Sequence, residues 1–408
     1  MRAAPTAPAQ TDTAARVPVR VILILGGLSA FAPLSIDMYL PALPALTGDL
    51  TTTASAAQLS LTACLVGLAA GQLLAGPVSD VLGRRRPLVV GLVGYTVASV
   101  LCVFAPSVWV LVALRLVQGL AGAAGIVVSR AVVRDLRSGT AAAKLFAALM
   151  LVNGVAPVLA PTIGAQLLRF TTWRGVFVVL TVIGAGLLVA VLAGLPESLP
   201  PERRHTGGLA DTGRSFRALV VDRRFVGYAL TGGLVFAAMF AYISGSSFVL
   251  QEVYGLSAQT FGIVFGVNAV GIVAASQVSA RLVDRFGPAA LLRTGQLTAL
   301  VGGLALLAVV LLGAGLPGVL PALFLVVGSV GLVTPNAMAL ALASHGRIAG
   351  TASAVLGVLQ YVVGAAIAPL VGIAGTSTAV PMAAVIATLV VGSVLLSAAL
   401  LRTPRARV

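Results

Sequence analysis

One carboxylate stands out among the residues able to do chemistry. Asp37 lies inside an apolar stretch, between FAPLSI and MYLPALP, and no other acid is so deeply embedded. If that stretch crosses a bilayer, an ionisable group there is energetically unfavourable. It must face a cavity or a cation, and it is functional by default. The matching base is Arg115, inside LVALRLVQGL, with no acid in its own run and with Gln118 one turn further on. We expect Arg115 to lie near Asp37 and to hold it charged until a proton or a ligand alters the pair. Two blander placements stay open: Asp37 at the outer mouth of a long first run, and Arg115 snorkelling to an interface.

Other chemistries have little to work with. His205 and His345 are the two histidines, and Cys64 and Cys102 both fall in apolar runs, so neither a metal centre nor a structural disulfide is expected. The clustered His, Asp and Glu residues of an enzyme site are missing. There is no G-x-x-x-x-G-K-[ST], and the one lysine, Lys144, has the wrong context for it. We expect neither a cofactor nor a metal.

The elements that must position Asp37 and Arg115 are membrane spans. The chain is 59% hydrophobic and 9% charged over 408 residues, which cannot furnish a soluble surface. Twelve long apolar runs are expected as helices at 20–43, 57–79, 87–106, 108–130, 143–168, 174–195, 225–249, 259–281, 289–312, 318–342, 348–373 and 380–401. They do not alternate as barrel strands would. Glycines at helical spacing, such as Gly67 and Gly71, suit close helix packing. The first 19 residues read as a tail before a retained helix, because the apolar run that follows is too long for a signal core.

The formal charge of +15 reflects topology rather than nucleic-acid binding, because the arginines collect in alternate gaps between the runs. Arg84, Arg85 and Arg86 follow the second run; Arg130, Arg134 and Arg137 follow the fourth; Arg402, Arg405 and Arg407 end the chain. The opposite gaps hold only Arg169 and Arg174. Both termini are therefore expected in the cytoplasm. The Pro-, Gly- and charge-rich segment 196–224 divides the runs six and six and reads as a flexible linker. It separates an N-terminal bundle at 20–195 from a C-terminal bundle at 225–401, with tails at 1–19 and 402–408. GPVSDVLGRR after the second run and ARLVDRFGP after the eighth share D-x-x-G, at Asp80/Gly83 and Asp284/Gly287. Such repetition is expected of secondary transporters.

Five motifs now carry a resemblance: SIDMYLP at 35–41, GPVSDVLGRRRP at 76–87, RLVQG at 115–119, GVAPVLAPTIG at 154–164 and WRGVF at 173–177. In these the chain resembles the major facilitator superfamily drug:proton antiporters, in particular the Bcr/CflA multidrug efflux group. The resemblance implies an all-α membrane protein with twelve transmembrane helices in two six-helix halves, lying in the inner membrane and working as a monomer. It implies proton-coupled efflux of small amphiphilic drugs of phenicol or bicyclomycin type. The alternative is an exporter or importer of a metabolite such as an amino acid or sugar.

The resemblance also assigns roles. Asp37 and Arg115 would couple protons. Gly76, Asp80, Gly83, Arg84 and Arg85 would form a gating loop, with Arg130 and Arg134 as candidate partners of Asp80. Asp284 and Gly287 would form a weaker copy, because Pro288 stands where the first copy has an arginine. Gly154, Pro157, Pro161 and Gly164 would bend the fifth helix and support antiport. Candidate cavity residues are Asp37, Tyr39, Gln118 and Asn153 in the first half, and Tyr242, Asn268, Asn336, Gln360 and Tyr361 in the second. Partners are then a drug-like small molecule, protons and the lipid bilayer, with no nucleic acid. No acid lies deep in the second half, so proton handling is expected in the first.

Overall fold

A computed structural model describes residues 18–137, 139–204, 219, 221–343, 349–373 and 378–400. The expected terminal tails, most of the linker, and both histidines lie outside the described residues. The described chain is helical throughout, and the helices are α1 (Val19–Asp49), α2 (Ala54–Leu82), α3 (Arg85–Val103), α4 (Val108–Leu136), α5 (Gly139–Leu167) and α6 (Trp173–Gly194). The second half has α7 (Arg223–Val253), α8 (258–286), α9 (288–311), α10 (Leu316–Leu342), α11 (Ala349–Ile367 with Leu370–Ile373) and α12 (Val380–Leu400). These twelve spans are all long and apolar, and most of their exposed side chains are the aliphatic ones a bilayer solvates. Several helices run one or two turns beyond the apolar runs, as α4 does to Leu136, because polar residues continue a helix past the membrane edge.

The far face carries the loops at 50–53, 104–107, 168–172, 254–257 and 312–315. The near face carries the starts of the odd-numbered helices. Three of the helices leaving the far face, α2, α4 and α8, are capped by hydroxyls: Thr53 accepts from the Ala56 N–H, Ser107 from Val110 and Ser257 from Thr260. Each satisfies a donor that the first helical turn leaves free. Phe104, Trp109 and Phe170 are exposed at the same level, where amphipathic rings favour a membrane–water boundary.

Three spans depart from straight helices. α1 is interrupted after Ser29 and again after Asp37, and passes through a 3₁₀ turn at Leu40–Ala42, next to Pro41 and Pro44. α11 breaks at Pro369. α7 ends in a π-helical turn, Val249–Val253. A proline supplies no N–H and crowds the preceding turn, which accounts for the first two interruptions. The internal repeat is present in the backbone as well. Gly83 (φ 88°, ψ 166°) ends α2 and Gly287 (φ 75°, ψ 158°) ends α8 in nearly the same conformation, a positive φ that residues with a Cβ rarely adopt.

The halves meet along α2 against α11 and α5 against α8. Gln58 donates to the Ser244 carbonyl (3.0 Å), Thr62 to Ala365 (3.2 Å), Thr162 to Gly262 (3.2 Å) and Gln259 to Ala165 (2.9 Å). From α7, Ser247 donates to the Leu40 carbonyl (2.6 Å) and Gln251 to Pro41 (3.3 Å). Each of these bonds lies toward the far face, so the far side is the closed one.

Candidate functional site

Asp37 closes a helical segment immediately before the break in α1 and is 6% exposed. Among the described residues it has no hydrogen-bond or ion-pair partner. It lies within electrostatic reach of Tyr242 on α7 and Tyr361 on α11, both in the second half. The Tyr242 ring stacks on Phe265 (5.3 Å between centroids), and its oxygen accepts from Asn268 Nδ2 (2.9 Å). Tyr361 is half-buried, hydrogen-bonds Gln72 of α2, and lies within reach of Arg130.

The expected pairing of Asp37 with Arg115 is not formed. Arg115 is wholly buried inside the first half, with Nη2 donating to the Ser35 carbonyl (2.8 Å) and Nη1 to Gln118 Oε1 (2.5 Å). Gln118 in turn donates to Ser99 (2.7 Å). The guanidinium lies 5.1 Å from the Tyr39 ring centre and 5.6 Å from that of Phe177. The reason is helical phase. Tyr39, whose ring lies against Arg115, follows Asp37 by two residues, roughly 200° around a helix, so the Asp37 side chain is turned away from Arg115. Arg115 therefore balances its burial with two hydrogen bonds and two aromatic faces in place of a counter-ion.

Several other candidates are held by contacts within one half. Tyr39 is fully buried under Arg115, with its hydroxyl 3.2 Å from Ser60. Gln118 belongs to the Arg115 network. Asn336 donates to Ser279 (2.7 Å) and to the Leu332 carbonyl (2.7 Å), which ties α10 to α8 within the second half. Gln360 is half-buried next to Tyr361. The Asn153 side chain lies outside the described residues.

At the near face Asp80 pairs with Arg84, one turn on, rather than with Arg130 or Arg134; Arg84 also donates to Asp135 (2.9 Å) and Ser79 (2.9 Å). Two further acceptors complete this cluster without any signal in the loop motif. Asp135 accepts from Ser198 (2.9 Å), and Glu197 accepts from the backbone N–H groups of Arg84 (2.8 Å), Arg85 (3.1 Å) and Leu199 (3.0 Å). The first residues of the linker are thus docked, in contrast to the flexible segment expected. Glu197 serves as an N-cap brought from the segment after α6, since Arg84 gives α3 no side-chain cap of its own. Gly83 is required twice over: its φ is positive, and a Cβ there would meet Glu197 at 2.6 Å. Asp284, in the second copy, is exposed and makes no ion pair among the described residues.

Burial alone would raise the Glu197 carboxyl, but its three backbone donors and the nearby Arg204 charge outweigh this and hold it below the usual range. A depressed carboxyl contributes stability above its unfolded value and loses it as pH falls through the folded one. We expect Glu197→Ala to speed amide exchange at Arg84 and Arg85 at neutral pH. The native protein should show the same loss of protection, measured against the intrinsic exchange rate at each pH, once acidified below the carboxylate range. Equal protection in both proteins at every pH would remove Glu197 from the cluster.

In α5, Pro157 and Pro161 sit within one unbroken helix, Gly139–Leu167. Its glycines differ in what they permit. A Cβ on Gly164 would lie 1.9 Å from the Met38 carbonyl oxygen, whereas one on Gly154 would make an ordinary 3.5 Å contact with Val273. Gly164 is thus where α5 crosses the break in α1, next to Asp37.

The profile of the Major Facilitator Superfamily matches residues 25–369. The chain belongs to that superfamily. The superfamily fold and its transporter relatives make this a multi-pass membrane transporter and not an enzyme. It is similar to the uncharacterized MFS-type transporter YdgK of Bacillus subtilis, at 42% identity over 91% of this chain and 92% of the relative. It is also similar to the bicyclomycin resistance protein homolog of Haemophilus influenzae, at 33% identity over 92% and 94%. Among solved structures, a bacterial homolog of the human lysosomal transporter Spinster, crystallised inward-facing and unoccupied, superposes with a TM-score of 0.76. It covers 96% of this chain and 100% of its own at 16% identity, a likeness of fold.

Within this major facilitator chain, the motifs had pointed to the loop and to Asp37. They gave no sign of Glu197, Asp135, Ser247 or Thr62. Only the positions of the prolines held a usable hint.

Proposed function

We propose that the protein exports small amphiphilic drugs of phenicol or bicyclomycin type in exchange for protons, by alternating access. The observation that carries this is Asp37. It is a buried carboxylate without a partner, at a break in α1, and it faces two tyrosines of the other half. One such group couples two cargoes when proton and drug compete for it. The arginines of the near face put that face in the cytoplasm, so the far-side closure corresponds to an inward-facing protein able to load drug. Arg115 acts as a fixed internal charge that shapes α1 from behind, while Asp37 exchanges protons. The resistance-type relative supports a drug as cargo, and the tyrosines within reach of Asp37 suit a neutral amphiphile.

The test is direct. In proteoliposomes holding a pH-sensitive dye, adding a phenicol or bicyclomycin to the loaded protein should release protons, and an imposed proton gradient should drive accumulation. Transport of a sugar or amino acid with no response to either drug would favour the metabolite reading.

A further inference from the structure

The bonds that close the far side have an unusual set of acceptors. Pro44 has no N–H for the carbonyl four residues before it, which belongs to Leu40; that oxygen keeps a 3₁₀ bond from the Leu43 N–H and takes Ser247 on α7 as its second donor (2.6 Å). Pro369 likewise deprives Ala365, whose carbonyl accepts from Thr62 on α2 (3.2 Å). The Ala165 carbonyl, in the last turn of α5, accepts from Gln259 on α8 (2.9 Å). The pattern is reciprocal: the first half offers Leu40 and Ala165 to the second, and the second offers Ala365 to the first.

A backbone oxygen buried without a donor is costly, so each freed carbonyl favours whichever conformation brings a donor to it. We infer that the far-side gate of this transporter is built on these freed carbonyls, with Ser247, Thr62 and Gln259 as the donors that latch it. Pro369 frees the Ala365 acceptor, Pro44 leaves Leu40 room for a second donor, and Ala165 is free because it lies in the last turn of α5. Opening the gate exposes them to water, which hydrates them again, so the latch is reversible. None of its contacts is an ion pair, in contrast to the charged cluster at the near face. The far-side contacts between the halves and the near-face contacts within the first half therefore differ in chemistry. Ser247 also sits opposite the segment just after Asp37, so release of the latch frees the break next to that carboxylate. The inference concerns conformation and holds whatever the cargo or coupling ion.

The test reads the opening of the far side directly. Spin labels on Thr52→Cys and Glu252→Cys, in a background where buried Cys64 and Cys102 are replaced by alanine, report the distance between the halves at that face. Thr62→Val and Ser247→Ala each remove one latch donor while keeping the bulk roughly the same. Each should shift the ratio of open to closed far side about fivefold toward open, the size expected for one hydrogen bond. Pro369→Ala restores an N–H that competes for the Ala365 carbonyl, and should shift the ratio the same way. Thr388→Val, a hydroxyl replaced on α12 away from the boundary, should leave the distribution unchanged. Should Pro369→Ala fail to fold, the hydroxyl variants decide alone. If folded Thr62→Val and Ser247→Ala give the distance distribution of the parent, the latch is overturned.

Discussion

Asp37→Asn should yield a folded protein that cannot accumulate drug against its gradient. The substitution keeps the shape of the side chain and removes its charge, and no bonded partner of Asp37 is left unpaired by the change. Reconstituted variant and parent should give similar thermal unfolding, since a surface or cavity substitution without broken contacts changes stability by about 0.5 kcal/mol or less. A neutral phenicol should still bind to the variant. Drug addition, which should release protons from the parent, should release none from Asp37→Asn, and an imposed proton gradient should leave the drug equally distributed. Facilitated exchange of labelled for unlabelled drug should persist, because that reaction needs the rocking of the halves and not the proton. Full gradient-driven accumulation by the variant would sink the assignment of Asp37, because no other acid in the described spans lies as deep.

Gly164→Val should abolish the folded protein, while Gly154→Ala should be tolerated. A Cβ at Gly164 would be placed 1.9 Å from the Met38 oxygen, and the obstacle is backbone that cannot swing aside as a side chain could. The helices would have to separate at the point where α5 crosses the break in α1. Overpacking of this kind costs on the order of 3 kcal/mol or more, a large share of a typical folding free energy. At Gly154 the added methyl would make an ordinary contact with Val273, and exchanging glycine for alanine in a helix gains about 1 kcal/mol of propensity. Membrane-inserted yield and thermal stability in detergent separate the two outcomes. Equal yields of both variants would mean that α5 does not approach Met38 as closely as described. Both glycines belong to the same motif, so the contrast also separates the motif's packing role from its antiport role.

The near- and far-side contacts suggest how the cycle is divided. The near face is held within the first half by charges around Arg84 and Glu197, which fix the turn between α2 and α3 as a rigid unit. The far face is held between the halves by hydroxyls and amides on carbonyls. A rigid turn and a reversible seal suit a protein whose halves rock about a central carboxylate. Asp37 stands between the two, at the same break that the far-side bonds hold in place.

Much of this was determined by the sequence itself. The length of the apolar runs, the alternation of arginines and the repeated D-x-x-G turn dictate twelve spans in two related halves, because lipid admits only helices of that length and every charge in it must be accounted for. Asp37 was legible for the same reason: an acid inside such a run has no innocuous place. What the tertiary structure alone decided is which side of each helix those residues occupy. The motifs placed Asp37, Tyr39, Arg115 and Gln118 close together along their helices, yet packing sends Asp37 toward the second half and the other three into the interior of the first. Two residues along a helix reverse a side chain's direction, and which direction is the cavity depends on neighbours far away in the chain. The donors Ser247, Thr62 and Gln259 and the cap Glu197 were hidden for a related reason. Their acceptors are backbone groups, which carry no residue identity, and only the assembled fold brings them within reach.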